Sequence, residues 1–446
     1  MATWCGFLIS VCTRTSSYAG GLERPAPEAG YPPTVWNSPE LPLLEWAFFT
    51  GLRLPGWRGS TLCAKVGTMT HYDALIVGAG IIGAACAYRL AERGLRVGVL
   101  EMAPAPAMGS TGKSAAGVRV QFTEATNILL SWYSIQEYQA MPEAAYRPIG
   151  YLFLVPDSQW EQHLAGVELQ RSLGVPVEVR DLEAAQEWFS FSPIAAGLEA
   201  IRGATYGPAD GIVDPHGICL AYLRRAREMG ALVHTETEFC LAQPTKTGWK
   251  VQTPKGWLEA RVVINAAGAW AGEVGRRAGL SIPVKPARRM VFCTAPIPQP
   301  SWHPLTIDLS SGFWFRPEHD RLIFGRSNPA DLGFHEGMDW GWLEPTLEVG
   351  LARFPWLEGC NLDQKASWWG YYEVTPDHNP ILGWMPGVKG WVNACGFSGH
   401  GVQQAAMVGR LMAEEVVDGR ACSLNIDALR YERFLEDAKT REKNIV

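Results

Sequence analysis

The 446-residue sequence predicts an α/β protein of α+β character, in which a parallel, helix-covered sheet is interleaved with a second domain on a mostly antiparallel sheet. Three observations carry this. An apolar run, a glycine-rich turn, a helix and a second apolar run follow one another between Ala74 and Leu100. The same strand–turn–helix grammar returns around Pro215–Trp270 and again from Trp391 to about Val417. The blocks between, at 136–212 and 286–369, instead alternate apolar and polar residues, as half-buried strands do.

Residues 1–68 hold seven prolines and no sustained periodicity, which predicts a poorly ordered extension. It reads either as a targeting or regulatory segment or as a translated upstream region, since Met69-Thr70-His71-Tyr72-Asp73 looks like a start directly before a strand. Ala74–Val77 is a short, uniformly apolar strand of the kind buried on both faces. The turn Gly78–Gly83 follows, then a helix over Ala84–Arg93 closed by Gly94, then a strand over Val97–Leu100 ending at Glu101. Pro215 opens a helix running to Met229, and the strands Leu232–Val233 and Val262–Asn265 come after it. Trp391–Cys395 is a strand, Gly396–Gly401 a turn, and a helix starts at Val402. Arg316–Gly325 reads as a hairpin. One domain is therefore assembled from 69–135, 213–285 and 370–435, the second from 136–212 and 286–369, with a tail at 436–446.

Composition narrows the function classes. Hydrophobic residues make up 47% and charged residues 19%, and Lys+Arg 39 against Asp+Glu 45 leaves a net charge of −6. Nothing there favours nucleic acid or an anionic membrane. No uncharged apolar run approaches the ~18 residues of a spanning helix. Met1–Cys12 is apolar but lacks the basic start of a signal peptide. Ten scattered cysteines form no C-x-x-C, so no metal site is expected and a reduced, cytoplasmic chain is. Tryptophan is the outlier: 19 residues, four of them before residue 68 and seven from Trp302 to Trp369.

The chemistry starts at Gly78-x-Gly80-x-x-Gly83. Gly78 permits a tight turn, Gly80 lets a pyrophosphate approach the backbone around Ile82, and Gly83 lets helix and strand pack closely. Glu101, at the end of the next strand, suits a ribose diol and repels a 2′-phosphate. This predicts an adenine dinucleotide. A second small-residue run, Gly109–Gly117, and two later loops, Ala266-Ala267-Gly268 and Gly396–Gly401, fit a long, extended FAD better than NAD.

Together with Ser110–Phe122 (STGKSAAGVRVQF), Asp210–Pro215 (DGIVDP), Ile264–Gly272 (INAAGAWAG) and Gly370–Gly383 (GYYEVTPDHNPILG), these motifs carry a resemblance. The chain resembles FAD-dependent amine and amino-acid oxidoreductases of the D-amino-acid-oxidase superfamily, in the branch of sarcosine oxidase, glycine oxidase and the β subunits of sarcosine oxidase and proline dehydrogenase. The resemblance covers about residues 71–435. It implies a Rossmann-type FAD-binding domain, a substrate domain, and hydride transfer from an amino acid or secondary or N-methyl amine to flavin N5. The cofactor set it implies adds Ser110, Thr111, Lys113, Ser114, Ala115, Ala116, Phe239, Gly268, Trp270, Gly399, His400, Gly401, Val402 and Gln403 to the dinucleotide turn. The N–H groups opening the last helix would face the flavin C2 carbonyl. Arg119 falls where the sarcosine-oxidase pattern binds the substrate carboxylate, Tyr372 where it has an active-site tyrosine, and His400 beside the flavin. Asp377 is expected to fix a turn, and Trp314, Trp368 and Trp369 to wall the pocket.

The departures matter as much. Gly370 stands at the cysteine that attaches flavin covalently in monomeric sarcosine oxidases, which implies noncovalent FAD. Gln403 replaces a carboxylate-binding lysine, Ile323 a lysine that promotes reaction with O₂, and Tyr372 the arginine of glycine and D-amino-acid oxidases. A dehydrogenase passing electrons to a partner subunit is therefore expected over an O₂-using glycine- or D-amino-acid-type oxidase. A flavin-binding assembly subunit without turnover is the alternative of another class.

Overall fold

Residues 70–297 and 303–435 are described by the computed structural model; the expected extension at 1–68, the tail at 436–446 and Trp302 lie outside the described residues. The first strand, His71–Val77, has Ala74, Leu75 and Ile76 wholly buried, as an apolar run inside a two-sided sheet must be. It pairs in parallel with Val97–Leu100 on one side and with Gly256–Asn265 on the other. Leu232–His234 extends the sheet beyond Val97–Leu100, and Trp391–Cys395 beyond Gly256–Asn265, both in parallel. Ile381–Trp384 closes that edge antiparallel.

One face of this sheet carries the helices Ile81–Glu92, Pro215–Glu228 and Gly401–Asp418, whose small and aliphatic residues form one continuous core with it. Two of these helices approach backbone to backbone: a Cβ on Gly409 would stand 2.7 Å from the Ala85 carbonyl. The first helix starts at Ile81, three residues before the expected Ala84, because Gly80 serves as its N-cap. Asp214 caps the second by accepting from the Gly217 N–H, with Pro215 in its first turn as expected.

The second sheet runs in the order Trp368–Val374, Lys285–Cys293, Arg321–Gly325, Phe313–Glu318, Leu305–Asp308, Tyr151–Pro156, Ile201–Gly207, Glu178–Arg180. All its pairings are antiparallel except Leu305–Asp308 with Tyr151–Pro156. The expected hairpin is there, its turn made by His319 at φ 57°. Two departures are physical. Tyr151–Pro156 is buried at all six positions instead of alternating, because apolar clusters cover both faces of the sheet there. The strand Trp368–Val374 runs through the expected boundary at 370 and belongs entirely to the second sheet. Much of the aromatic content of this half is core: Phe189, Phe315, Phe354 and Trp356 meet ring to ring at 4.8–6.4 Å.

Candidate active site

A cavity of about 490 Å³ opens at the carboxyl ends of the parallel strands, between the two sheets. That is where a doubly wound sheet leaves room for a ligand. Gly78, Gly80, Ile82 and Glu101 line it at one end. Gly78 takes φ 107° and lies so close to the next strand that a Cβ would sit 2.4 Å from the Ala266 carbonyl oxygen. No side chain caps the helix that follows, although the Ile81 N–H donates to Thr111 Oγ1 at 3.0 Å. Glu101 is held by two backbone donors, Ala79 N–H to Oε2 and Ala103 N–H to Oε1, both at 2.9 Å. Gly83 is the exception among the predicted cofactor residues. It does not line the cavity; a Cβ there would overlap the Gly78 carbonyl oxygen at 1.9 Å, so its part is to let turn and helix pack.

Ser110, Thr111, Lys113, Ser114, Ala115 and Ala116 make the next stretch of wall, with Phe239, Gly268 and Trp270 among the residues lining the cavity elsewhere. Their side chains are largely used inward. Ser110 Oγ donates to the Tyr371 carbonyl at 2.7 Å, and Ser114 Oγ accepts from the Ala116 N–H at 3.0 Å. Lys113 Nζ stands 4.1 Å over the Trp369 ring, and Trp368 Nε1 donates to the Lys113 carbonyl at 2.9 Å. Trp368 and Trp369 thus stand behind Lys113 and do not line the cavity, contrary to the sequence expectation; Trp314 does line it. Ile323 is likewise off the cavity, packed with Val291 and Cys293, so its apolar side chain has no bearing on chemistry there. Asp377 behaves as expected, buried and bonded to Arg433 at 2.7 Å.

Gly399, His400, Gly401, Val402 and Gln403 bring the last helix to the cavity N-terminus first, again with no side-chain cap. Gln403 is committed elsewhere: its Oε1 accepts from the Arg119 backbone N–H at 2.9 Å. Arg119 is buried, donates from Nη1 to the Gln121 carbonyl at 2.6 Å, and lies with its guanidinium carbon 4.2 Å over the Phe122 ring. Its Nη2 is 3.4 Å from His400 Nε2. Burial, reinforced by the charges of Arg119 and His378, pushes the His400 imidazole well below its ordinary range, so the ring is neutral and can accept. Tyr372 is held against Gly399, and burial raises its phenol. Its hydroxyl has no hydrogen-bond partner among the described residues.

The cavity collects residues that the sequence reading missed: Tyr151, Arg289, Arg326 and Glu373. Burial pushes the Glu373 carboxyl up to about 7 although the Gly396 N–H donates to it at 2.7 Å. Behind Arg119, burial also holds Asp210 up at about 7, against hydrogen bonds from Gln121 and the Val120 N–H. The signal for Arg289 was only partial. Adjacent residues on a strand point to opposite faces, so of Arg288 and Arg289 one had to face inward. Among the described residues no cysteine lines the cavity, no cluster of His, Cys, Asp and Glu could hold a metal, and no helix is long and apolar enough to cross a membrane.

The profile of the FAD-dependent oxidoreductases (DAO) matches residues 73–415. The chain belongs to the FAD-dependent oxidoreductase family. It is 32% identical over 434 residues to FAD-dependent oxidoreductase domain-containing protein 1 of Xenopus laevis, covering 84% of this chain and 85% of that protein. To mouse mitochondrial dimethylglycine dehydrogenase it is 26% identical over 408 residues, or 83% of this chain but 46% of that one. Among solved structures, L-proline dehydrogenase from P. horikoshii superposes with a TM-score of 0.74 at 27% identity, covering 84% of this chain and all of the other. The protein is an FAD-dependent oxidoreductase, and FAD is its cofactor. The cavity fits that group: it offers two helix N-termini without side-chain caps, a carboxylate fixed by backbone for a ribose, and a wall of small residues.

Proposed function

We propose that this FAD-dependent oxidoreductase oxidises an amino acid or a secondary or N-methyl amine, and that it is a dehydrogenase handing electrons to a partner subunit. The observation that carries the reading is the continuity of the cavity, which runs from the dinucleotide turn to Arg119, Tyr372 and His400 without a break. FAD, when bound, supplies the two-electron acceptor for the C–N bond. Gly78, Gly80, Ile82 and Glu101 would hold its dinucleotide half. Ser110–Ala116, Phe239, Gly268, Trp270 and the N–H groups of Gly401, Val402 and Gln403 would hold the rest. No cysteine of the described residues lies on the cavity wall, which supports the reading that the cofactor is noncovalent.

In this reading Arg119 anchors the substrate carboxylate, and its fixed position follows from Gln121, Gln403 and the Phe122 face. Tyr372 orients the amine with its unpartnered hydroxyl. His400, neutral and in contact with Arg119, steadies that guanidinium without adding a second charge. Trp314 and the buried tyrosines keep water from the reacting carbon. The dehydrogenase assignment draws on the names of the mouse and P. horikoshii relatives, each of which says what that protein does. The seven free cysteines among the described residues fit a reducing compartment, the cytoplasm expected from sequence or the mitochondrion named for the mouse relative.

The test is a panel of sarcosine, proline, glycine and D-amino acids added anaerobically to the purified yellow protein, then repeated with O₂ and with a dye acceptor. Bleaching of the flavin with turnover on dye and little on O₂ is the expected result. Rapid peroxide formation would assign an oxidase, and no bleaching by any compound would favour the non-catalytic alternative.

A further inference from the structure

The cavity contains a cation, Arg289, that no carboxylate of the described residues pairs with and that keeps a buried N–H without a partner. Arg289, on the strand Lys285–Cys293, lines the cavity beside Tyr372, with its guanidinium carbon 5.3 Å from the ring centre. Its Nη1 donates to two carbonyls, those of Arg288 at 2.9 Å and Asn328 at 3.1 Å. Its Nε is buried with no hydrogen-bond partner. No carboxylate of the described residues lies within ion-pair distance of it. Asp331 acts on it only from further away, and both Asp331 oxygens are taken, by Arg288 Nε at 2.8 Å and His335 Nδ1 at 2.7 Å.

Two other arginines are paired with carboxylates, and a third has no buried nitrogen without a partner. Arg277, at the dinucleotide end of the same cavity, is paired with Glu238 and Glu273 at 2.6 and 2.9 Å. Arg288, the neighbour on the opposite face, is paired with Asp331. Arg326, close by in the loop that supplies Asn328, also faces the cavity and is bonded to the carbonyls of Ser311 and Pro345. A partly desolvated guanidinium with an idle N–H is costly unless a ligand brings an anion to it.

We propose that the substrate carries two acidic groups, one taken by Arg119 and the second by Arg289, so that the preferred substrate is an amine or N-alkyl amine bearing two carboxylates. This rests on the reading of the cavity as an amine-oxidising site. Tyr372 feels both guanidinium charges, which puts its hydroxyl within the electrostatic reach of each anchor. Arg289 is then a specificity residue: it selects which acid enters without touching the bond that reacts.

The test begins with binding, which needs no turnover. Holoprotein is titrated with acetate, malonate, succinate and glutarate, and the shift in flavin absorption is followed. One of the dicarboxylates should bind about 30-fold more tightly than acetate, the scale of one desolvated charge pair. Arg289→Gln should bring that ratio close to one, and Arg289→Lys should recover part of it. Equal affinity for acetate and every dicarboxylate overturns the proposal. So does an Arg289→Gln protein that weakens acetate and dicarboxylates alike, since Arg289 would then hold the single carboxylate. Loss of FAD from both variants, read by released flavin, also overturns it and assigns Arg289 to the cofactor. Anaerobic bleaching by the amine panel is scored separately, so a failure of the amine-oxidising reading itself is recognised even if the dicarboxylates bind.

Discussion

At the dinucleotide end of the cavity the polar groups belong to backbone, or to a carboxylate that backbone holds: Glu101 sits on the N–H groups of Ala79 and Ala103. At the other end they belong to side chains brought from far apart in the chain, Arg119, Tyr151, Arg289 and Tyr372 among them. The charges differ as well. Arg277 is neutralised within its own end, whereas Arg289 is left to the ligand. A cofactor that never changes can be held by a pattern of glycines; a substrate that differs between relatives is held by exchangeable side chains. The first end should therefore break through backbone crowding and the second through charge.

The largest effect belongs to crowding. Gly83→Val places a branched side chain where the Gly78 carbonyl already stands, at a cost of about 3 kcal/mol or more. The purified variant should be nearly colourless and melt at a markedly lower temperature. A yellow protein of unchanged melting temperature would mean that the turn has slack the geometry denies. Next comes charge at the far end. Arg119→Ala should raise KM for a carboxylate substrate about 10²-fold, from about 3 kcal/mol for a lost buried anchor, while FAD stays bound. An unchanged KM removes Arg119 from its role. Smaller again is Glu101→Gln, which leaves one of the two backbone donors facing an NH2 group and the other with only a neutral acceptor, and should weaken FAD about tenfold, measured by reconstitution of apoprotein.

This difference between the ends also explains what could be read from sequence. Gly78 was legible because only glycine tolerates φ 107° with a neighbouring carbonyl 2.4 Å from its missing Cβ, and Gly80 and Glu101 because their spacing from it is that of a dinucleotide turn. The order of strands and helices was legible because short, uniformly apolar runs alternate with glycine turns and helical stretches, as in a sheet buried on both faces. Arg289 and Tyr151 were not, since nothing in a strand's alternation says which face a cavity adjoins. The tryptophans misled for a related reason. Of the expected pocket walls only Trp314 reaches the cavity, while Trp368 and Trp369 are spent holding Lys113 and Trp356 is core.

The smallest effect is also the one that joins the two ends' logic, because Glu373 is a carboxyl at the charge-built end without an arginine of its own. Burial holds it at about 7 against an ordinary value of 4.5, so it is neutral in acid and ionises as pH rises. A folded-state value raised above the unfolded one means that the group's contribution to stability is complete below about 4.5 and is lost as pH climbs through about 7. Asp210 follows the same course, so the measurement is the difference between wild type and Glu373→Gln, in which the Asp210 part cancels. Stability of the wild type should fall relative to the variant across that window. Because Glu373 lines the cavity, its ionisation also places a negative charge near an anionic substrate, and KM should rise about threefold to tenfold over the same range. Glu373→Gln should flatten that rise. If KM and stability keep the same pH dependence in the variant, the charge that titrates near 7 lies behind Arg119, at Asp210, and reaches the substrate only through that arginine.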